Sequence, residues 1–366
     1  MNTKSLLGVA IGLAVVILAA IFVVPLFQGS STVKVSGAGS SFINPLMTTW
    51  ASEYHDSVDT KVQINYASIG SGGGIQQLTE GTVDFGASDA PLQTSEATAL
   101  GNNALHIPMT VGGITLSYNI AGVSDGLKLT GDLVAAIFMG NITKWNDANI
   151  TAINSGVTLP NADIVVQHRS DGSGTTFGFT DYLSHVSTAW KNDIGTGKSI
   201  DWPVGVGGKG NEGVSANIKS TANSIGYVEL AYAVENSFTT VALQNQNGDY
   251  VQASVQTIQN AMNGAANVLP KGEGDWSTVT MVNAPGKDSY PICSFTYVLV
   301  HSDLSNLASK DVAQKLLEFL WWAVHDGQGD SAALYYVPLA SSVVTINERT
   351  LGLLNFKGAE LTLPTS

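Results

Sequence analysis

Three times in this chain a short β-type run passes through a Gly/Ser-rich loop into a helical pattern. Val33–Ser36 leads into Gly37-Ala38-Gly39-Ser40-Ser41, and Lys61–Tyr66 leads into Gly70-Ser71-Gly72-Gly73-Gly74. Ile164–Gln167 leads into Arg169-Ser170-Asp171-Gly172-Ser173-Gly174-Thr175. Strands alternating with helices predict an α/β architecture. Each junction also leaves the first N–H groups of a helix without intrahelical partners, at the end of the helix that carries roughly half a positive charge. Glycine lets the backbone approach a ligand closely, and serine adds a hydroxyl. One such loop is an ordinary N-cap. Three of them, one carrying Arg169, point to a shared oxyanion.

Other elements follow from periodicity. Phe42, Leu46, Trp50 and Tyr54 recur every fourth residue, with Pro45 in the first turn, which predicts an amphipathic helix. Val83–Ala87, Val111–Tyr118, Ile225–Val228 and Ile292–Val300 read as strands. Asp132–Phe138 and Val312–His325 read as helices, and Gly327 as a stop signal after the second. Phe42, Trp50 and Tyr54 are assigned to the core, and so is one indole of Trp321-Trp322.

Composition removes several classes of function. The chain has 366 residues, enough for two domains, and 44% hydrophobic residues, enough for ordinary cores. Charged residues make up 12%, about half the usual ~25% share. With 29 acids against 16 bases the net charge is -13, and no Lys/Arg cluster offers the basic footprint that nucleic acid requires. An acidic protein that binds an anion must use local donors against its own field. The single cysteine, Cys293, excludes an internal disulfide and a cysteine-based metal cluster, and no His-x-x-x-His spacing suggests zinc. No Walker loop is present, and the first loop does not meet the dinucleotide pattern Gly-x-Gly-x-x-Gly. Gly86-Ala87-Ser88-Asp89-Ala90 lacks the last glycine of a nucleophile elbow. An ester hydrolase using Ser88 or Ser173 would need a base, and the six histidines lie in no motif.

From Ser5 to Phe27 no residue is charged, and a helix of that length spans a hydrocarbon core of about 30 Å. The run ends Val24-Pro25-Leu26-Phe27 without a small-x-small cleavage site, which favours an uncleaved signal anchor over a cleaved signal peptide. Lys4 and the terminal amine put the body of the protein outside. Residues 1–32 are therefore expected to be signal anchor and linker. The alternative is a secreted or periplasmic protein after signal cleavage. Asn141-Ile-Thr and Asn149-Ile-Thr match the glycosylation pattern.

Six motifs occur in one order: Gly-Ala-Gly-Ser-Ser-Phe (37–42), Ile-Gly-Ser-Gly-Gly-Gly (69–74), Val-Asp-Phe-Gly-Ala-Ser-Asp-Ala-Pro-Leu (83–92), Arg-Ser-Asp-Gly-Ser-Gly-Thr (169–175), Trp-Pro-Val-Gly-Val-Gly-Gly-Lys-Gly-Asn (202–211) and Ile-Gly-Tyr-Val-Glu (225–229). From Val33 to the C-terminus the chain closely resembles the periplasmic phosphate-binding proteins that feed high-affinity phosphate ABC transporters. The resemblance implies a type II periplasmic-binding fold of two α/β lobes joined by two crossings. Lobe I would be 33–110 plus 291–366, and lobe II 111–290. It implies phosphate held by Ser41, the Phe42 N–H, Ser71, Asp89, Arg169, Ser173, Gly174 and Thr175, with Asp171 behind Arg169. It also implies permease subunits as partners, a monomer, no cofactor, no metal and no catalytic residue. Lys209 is left outside the site as a solvated loop residue.

These residue types suit phosphate. A phosphate that retains a proton can donate to a buried carboxylate, whereas sulfate would offer that carboxylate only lone pairs. Asp89 is the candidate for this filter. Arg169 supplies a planar fork of donors, oriented by Asp171. A receptor for sulfate or molybdate is the alternative ligand class, and Asp89 argues against it. A surface adhesion protein has no support beyond the anchor and the polar composition.

Overall fold

The alternating Val-Lys-Val-Ser and Val-Gln-Ile-Asn-Tyr runs form the first two strands of a sheet, with their apolar members inward. The structure is a computed structural model that describes residues 32–265, 269–271 and 273–364. The apolar stretch expected to be a signal anchor lies outside the described residues, apart from Thr32 of its linker. Among the described residues no helix is long and apolar enough to cross a membrane.

The strands are β1 (Val33–Gly39), β2 (Val62–Ser68), β3 (Phe85–Ser88), β4 (Ala104–Asn119), β5 (Leu127–Leu129), β6 (Val165–Arg169), β7 (Val206–Gly208), β8 (Ser224–Glu229), β9 (Thr239–Gln244), β10 (Tyr250–Val251) and β11 (Cys293–His301). They make an 11-stranded sheet whose main path runs β2-β1-β3-β11-β4-β8-β6-β7. Strand β1 pairs in parallel with β2 and β3, and β6 pairs in parallel with β7 and β8. Strands β4 and β11 run antiparallel to their neighbours.

Strand β4 joins the two parallel groups. Ala104–Gly113 pairs with β11, and Ile114–Asn119 pairs with β8. Its residues are almost all buried, as expected where helices cover both faces of a sheet. The sequence predicts this strand only over Val111–Tyr118, and the structure extends it back through Pro108 to Ala104. Pro108 sits beside a bulge between Thr296 and Tyr297 of β11, where a missing N–H is tolerated. The glycines answer to packing. A Cβ on Gly112 would lie 2.6 Å from Phe42 Cζ, and one on Gly113 would lie 2.7 Å from Ile258.

The helix Asn44–Glu53 has Pro45 in its first turn and buries Leu46, Met47 and Trp50. It ends one residue short of the predicted Tyr54, where the chain loosens into a π turn over Tyr54–Val58. Tyr54 still reaches the core and packs edge-on against Phe319 and Trp322 of the helix Lys310–Val324. Trp322 is buried and Trp321 is half-exposed, so one indole of the pair faces inward.

Register decides where the loops go. Gly39 of β1 lies opposite Ser68 of β2, and it also pairs with Ala87 of β3. The three parallel strands therefore release Ser40-Ser41, Ser71 and Asp89 side by side at their carboxyl ends. Arg169 at the end of β6 lies opposite Gly208 of β7, so Arg169 and the loop after Gly208 emerge together.

Gly112→Ala should destabilise the protein by about 1–3 kcal/mol, because the buried Phe42 ring has no room to withdraw. Denaturant unfolding of wild type and variant checks this.

Candidate functional site

The expected site residues meet in one buried, hydrogen-bonded cluster. Arg169 is 3% exposed. Its Nε and Nη2 donate to the Asp171 carboxylate at 2.8 and 2.6 Å, and its Nη1 donates to Thr175 Oγ1 at 3.3 Å. The Arg169 amide donates to the Tyr227 hydroxyl, which also bonds Thr176. Asp171 accepts a further bond from the Gly210 amide. Burial pushes the Asp171 carboxyl up, but the Arg169 bonds and charge outweigh it, and the group lies below the ordinary carboxylate value.

Asp89 is 2% exposed. Its Oδ1 accepts from Ser40 Oγ and, at 2.7 Å, from Thr296 Oγ1. Its Oδ2 accepts only a long bond, 3.4 Å, from Ser71 Oγ. Burial pushes the carboxyl up to about 6, and the Ser40, Thr296 and Ser71 bonds and the Arg169 charge restrain it from going further. With Oδ1 carrying two donors, Oδ2 is the oxygen left able to accept from a ligand.

The loop hydroxyls interlock across the cluster. Ser71 Oγ accepts from the Gly174 amide at 3.0 Å and the Asp89 amide at 3.2 Å. A Cβ on Gly174 would lie 2.6 Å from both Asp89 Cβ and Ser71 Oγ, which explains glycine there. Ser173 Oγ caps the helix Gly174–Val186 through the Thr176 amide. Ser41 Oγ accepts from the Asn211 backbone amide and from Asn211 Nδ2, each at 3.0 Å. Two expected ligand amides are already engaged in this structure. The Phe42 N–H donates to Ser40 Oγ, and the Gly174 N–H donates to Ser71 Oγ.

Sequence reasoning missed Ser40, Thr296, Tyr227 and Asn211. Ser40 stands next to Ser41 in a loop already singled out. Thr296 is a polar residue inside the apolar run of β11, the signal that was available there. Asn211 closes the motif 202–211, two residues after Lys209. Neither Ser88 nor Ser173 is hydrogen-bonded to a histidine among the described residues: Ser88 Oγ bonds Ala90, and Ser173 caps its helix. No group of three or more His, Cys, Asp or Glu among the described residues is placed to hold a metal.

A family model described as the PBP superfamily domain matches residues 28–326. The phosphate-binding protein PstS of Xylella fastidiosa strain 9a5c is 44% identical over 328 residues, 87% of this chain and 85% of its own length. The chain belongs to the phosphate-binding protein family of the PBP superfamily. Another member, the phosphate-binding protein PstS of Haemophilus influenzae, is 43% identical over 322 residues, 88% of this chain and 92% of that protein. The family fold is also that of the solved phosphate-binding protein from Stenotrophomonas maltophilia, with a TM-score of 0.64 at 18% identity, covering 86% of this chain and 93% of that one.

The Asp89 geometry sets a pH dependence. The folded protein keeps the Asp89 proton to about pH 6, whereas the unfolded chain releases it near the ordinary value of 3.8. Asp89 then favours the folded state most at low pH, and that contribution falls as pH rises from about 4 to 6 and is flat above. Ser40→Ala removes one restraining donor and should move the Asp89 titration above that of the wild type. Carboxyl-carbon NMR titration of both proteins checks the shift, and an unmoved Asp89 resonance would contradict the donor role of Ser40.

Proposed function

We propose that the protein captures inorganic phosphate in this cluster, outside the cytoplasm, and delivers it to the permease subunits of a phosphate ABC transporter. It is a binding protein and not an enzyme. The observation that carries the reading is the under-bonded carboxylate oxygen Asp89 Oδ2, which holds one long bond from Ser71 Oγ and lies in a cluster whose other ligand groups are donors, Arg169 Nη1 and the hydroxyls of Ser41, Ser173 and Thr175. A protonated phosphate oxygen donates to Asp89 Oδ2, while the other oxygens take the guanidinium and the hydroxyls. Sulfate has no proton to give, so its oxygens would face the carboxylate charge to charge. The relatives' names as phosphate-binding proteins support the same ligand.

In this proposal the two halves of the sheet are the two lobes, 33–110 with 291–366 and 111–290. Hydrogen bonds between residues assigned to opposite lobes then act as closing contacts. They include the Gly174 amide to Ser71 Oγ at 3.0 Å, the Gly72 amide to Gly172 O at 2.8 Å, Ser68 Oγ to Glu212 Oε1 at 2.9 Å, and the Lys198–Glu96 ion pair at 2.6 Å. On binding, phosphate takes over the Phe42 and Gly174 amides from the two serine hydroxyls that hold them. Residues 1–32 tether the body to the membrane, a role supported by the uncharged run Ser5–Phe27.

Arg169→Ala should weaken phosphate binding at least about 100-fold, since it removes a charged donor and leaves the half-buried Asp171 carboxylate unpaired. Asp89→Asn should narrow the phosphate-over-sulfate preference, because an amide can donate to either anion. Calorimetric titration of both anions into each variant tests the pair. Arg169→Ala affinity within threefold of wild type, or an unchanged preference in Asp89→Asn, sinks the site as drawn.

A further inference from the structure

We infer that Asn211 is a positioning residue that forces the Ser41 and Thr175 hydroxyls to act as donors toward the bound anion. The inference rests on the phosphate reading above.

Strand β7 ends at Gly208, and Gly210 opens the helix Gly210–Ser220 with φ at +69°. This is a fourth strand, glycine loop and helix unit. Its first free amides point at other residues of the cluster: the Gly210 N–H holds Asp171, and the Asn211 N–H holds Ser41. The Asn211 side chain is fully buried, and its amide orientation is fixed because Oδ1 accepts from the Glu229 backbone N–H at 3.0 Å. A backbone N–H can only donate, so the opposite end of the amide must be the NH₂ group.

That NH₂ group has two hydrogens and two hydroxyl targets. One bond goes to Ser41 Oγ at 3.0 Å and one to Thr175 Oγ1 at 3.3 Å. Ser41 Oγ also accepts from the Asn211 backbone amide, and Thr175 Oγ1 also accepts from Arg169 Nη1. A hydroxyl has two lone pairs and one hydrogen. Both hydroxyls therefore have their lone pairs filled, and each retains only its hydrogen to offer. Neither donates to any protein acceptor among the hydrogen bonds of the described residues. Without Asn211 each hydroxyl regains a free lone pair, is free to turn it toward the anion, and loses its fixed polarity. An aspartate of the same shape would reverse that polarity, because its carboxylate would draw both hydroxyl hydrogens to itself.

The test is a calorimetric cycle with inorganic phosphate on the full chain, comparing wild type, Asn211→Ala, Ser41→Ala/Thr175→Val and the triple variant. Asn211→Ala should cost about tenfold in affinity in the wild-type background and less than about twofold when both hydroxyls are gone. Equal losses in both backgrounds would overturn the inference, since a merely structural asparagine acts independently of the hydroxyls. Asn211→Asp gives a second readout. It should bind more weakly than Asn211→Ala near neutral pH, and its deficit relative to wild type should shrink as pH falls and the new carboxyl takes a proton. Binding within threefold of wild type at every pH would contradict the mechanism. A wild type that gives no heat with phosphate defeats the phosphate reading itself. A binding wild type with an additive cycle defeats only the role of Asn211.

Discussion

A carboxylate taken out of water costs several kcal/mol unless hydrogen bonds and opposite charge replace its hydration, and the site is organised around that constraint at Asp89. Ser40, Thr296 and Ser71 supply three hydroxyl bonds, and Arg169 supplies positive charge nearby. The asymmetry between the two oxygens matters most. Oδ1 is saturated, and Oδ2 holds one long bond, so the group is stabilised and still has an unmet need for a donor. Arg169 poses the opposite problem and is met by Asp171 on one edge of the guanidinium, which leaves the other edge for the hydroxyl cluster. A chain of net charge -13 can in this way hold an anion without a positive surface, because the attraction is confined to directed bonds in a dry interior.

The fold supplies the directions. Parallel β1, β2 and β3 bring three loops to one edge because their registers align at Gly39, Ser68 and Ala87. Antiparallel β11 then slides Thr296 beside Asp89, and it pairs Tyr297 with Ser88. Strand β4 pairs with β8 of the second parallel group and, through β11, is linked to β3 of the first, so the Arg169 loop and the Asp89 loop are held in one continuous sheet. Many hydroxyls of the site are paired to backbone amides, and the orientation of the donors toward a ligand follows from which lone pairs those amides fill.

The α/β alternation and the three glycine loops were legible in the sequence because the signals are local: β-type alternation, glycine, then a helical period. Arg169 and Asp89 stood out as charged residues at strand ends. What escaped was whatever depends on a distant partner. Residues 104–110 of β4 carry Pro108, a strand breaker in isolation that only the bulge in β11 accommodates, and Gly112 and Gly113 answer to the distant side chains of Phe42 and Ile258. Thr296 is an unremarked threonine until β11 is laid against β3. Asn211 lies 170 residues from Ser41, and no local pattern states that its amide spans Ser41 and Thr175. The N-terminal run was equally legible as an apolar span, and its role rests on that pattern alone.

The central claim is that Asp89 Oδ2 accepts a proton-bearing oxygen of the ligand. A crystal structure of the protein with phosphate tests it most directly. One phosphate oxygen should lie about 2.6 Å from Asp89 Oδ2, the short spacing of an O–H donor on a carboxylate, with Arg169 Nη1 on another oxygen. Phosphate seated elsewhere, or bound with Asp89 Oδ2 turned away from it, would contradict the account.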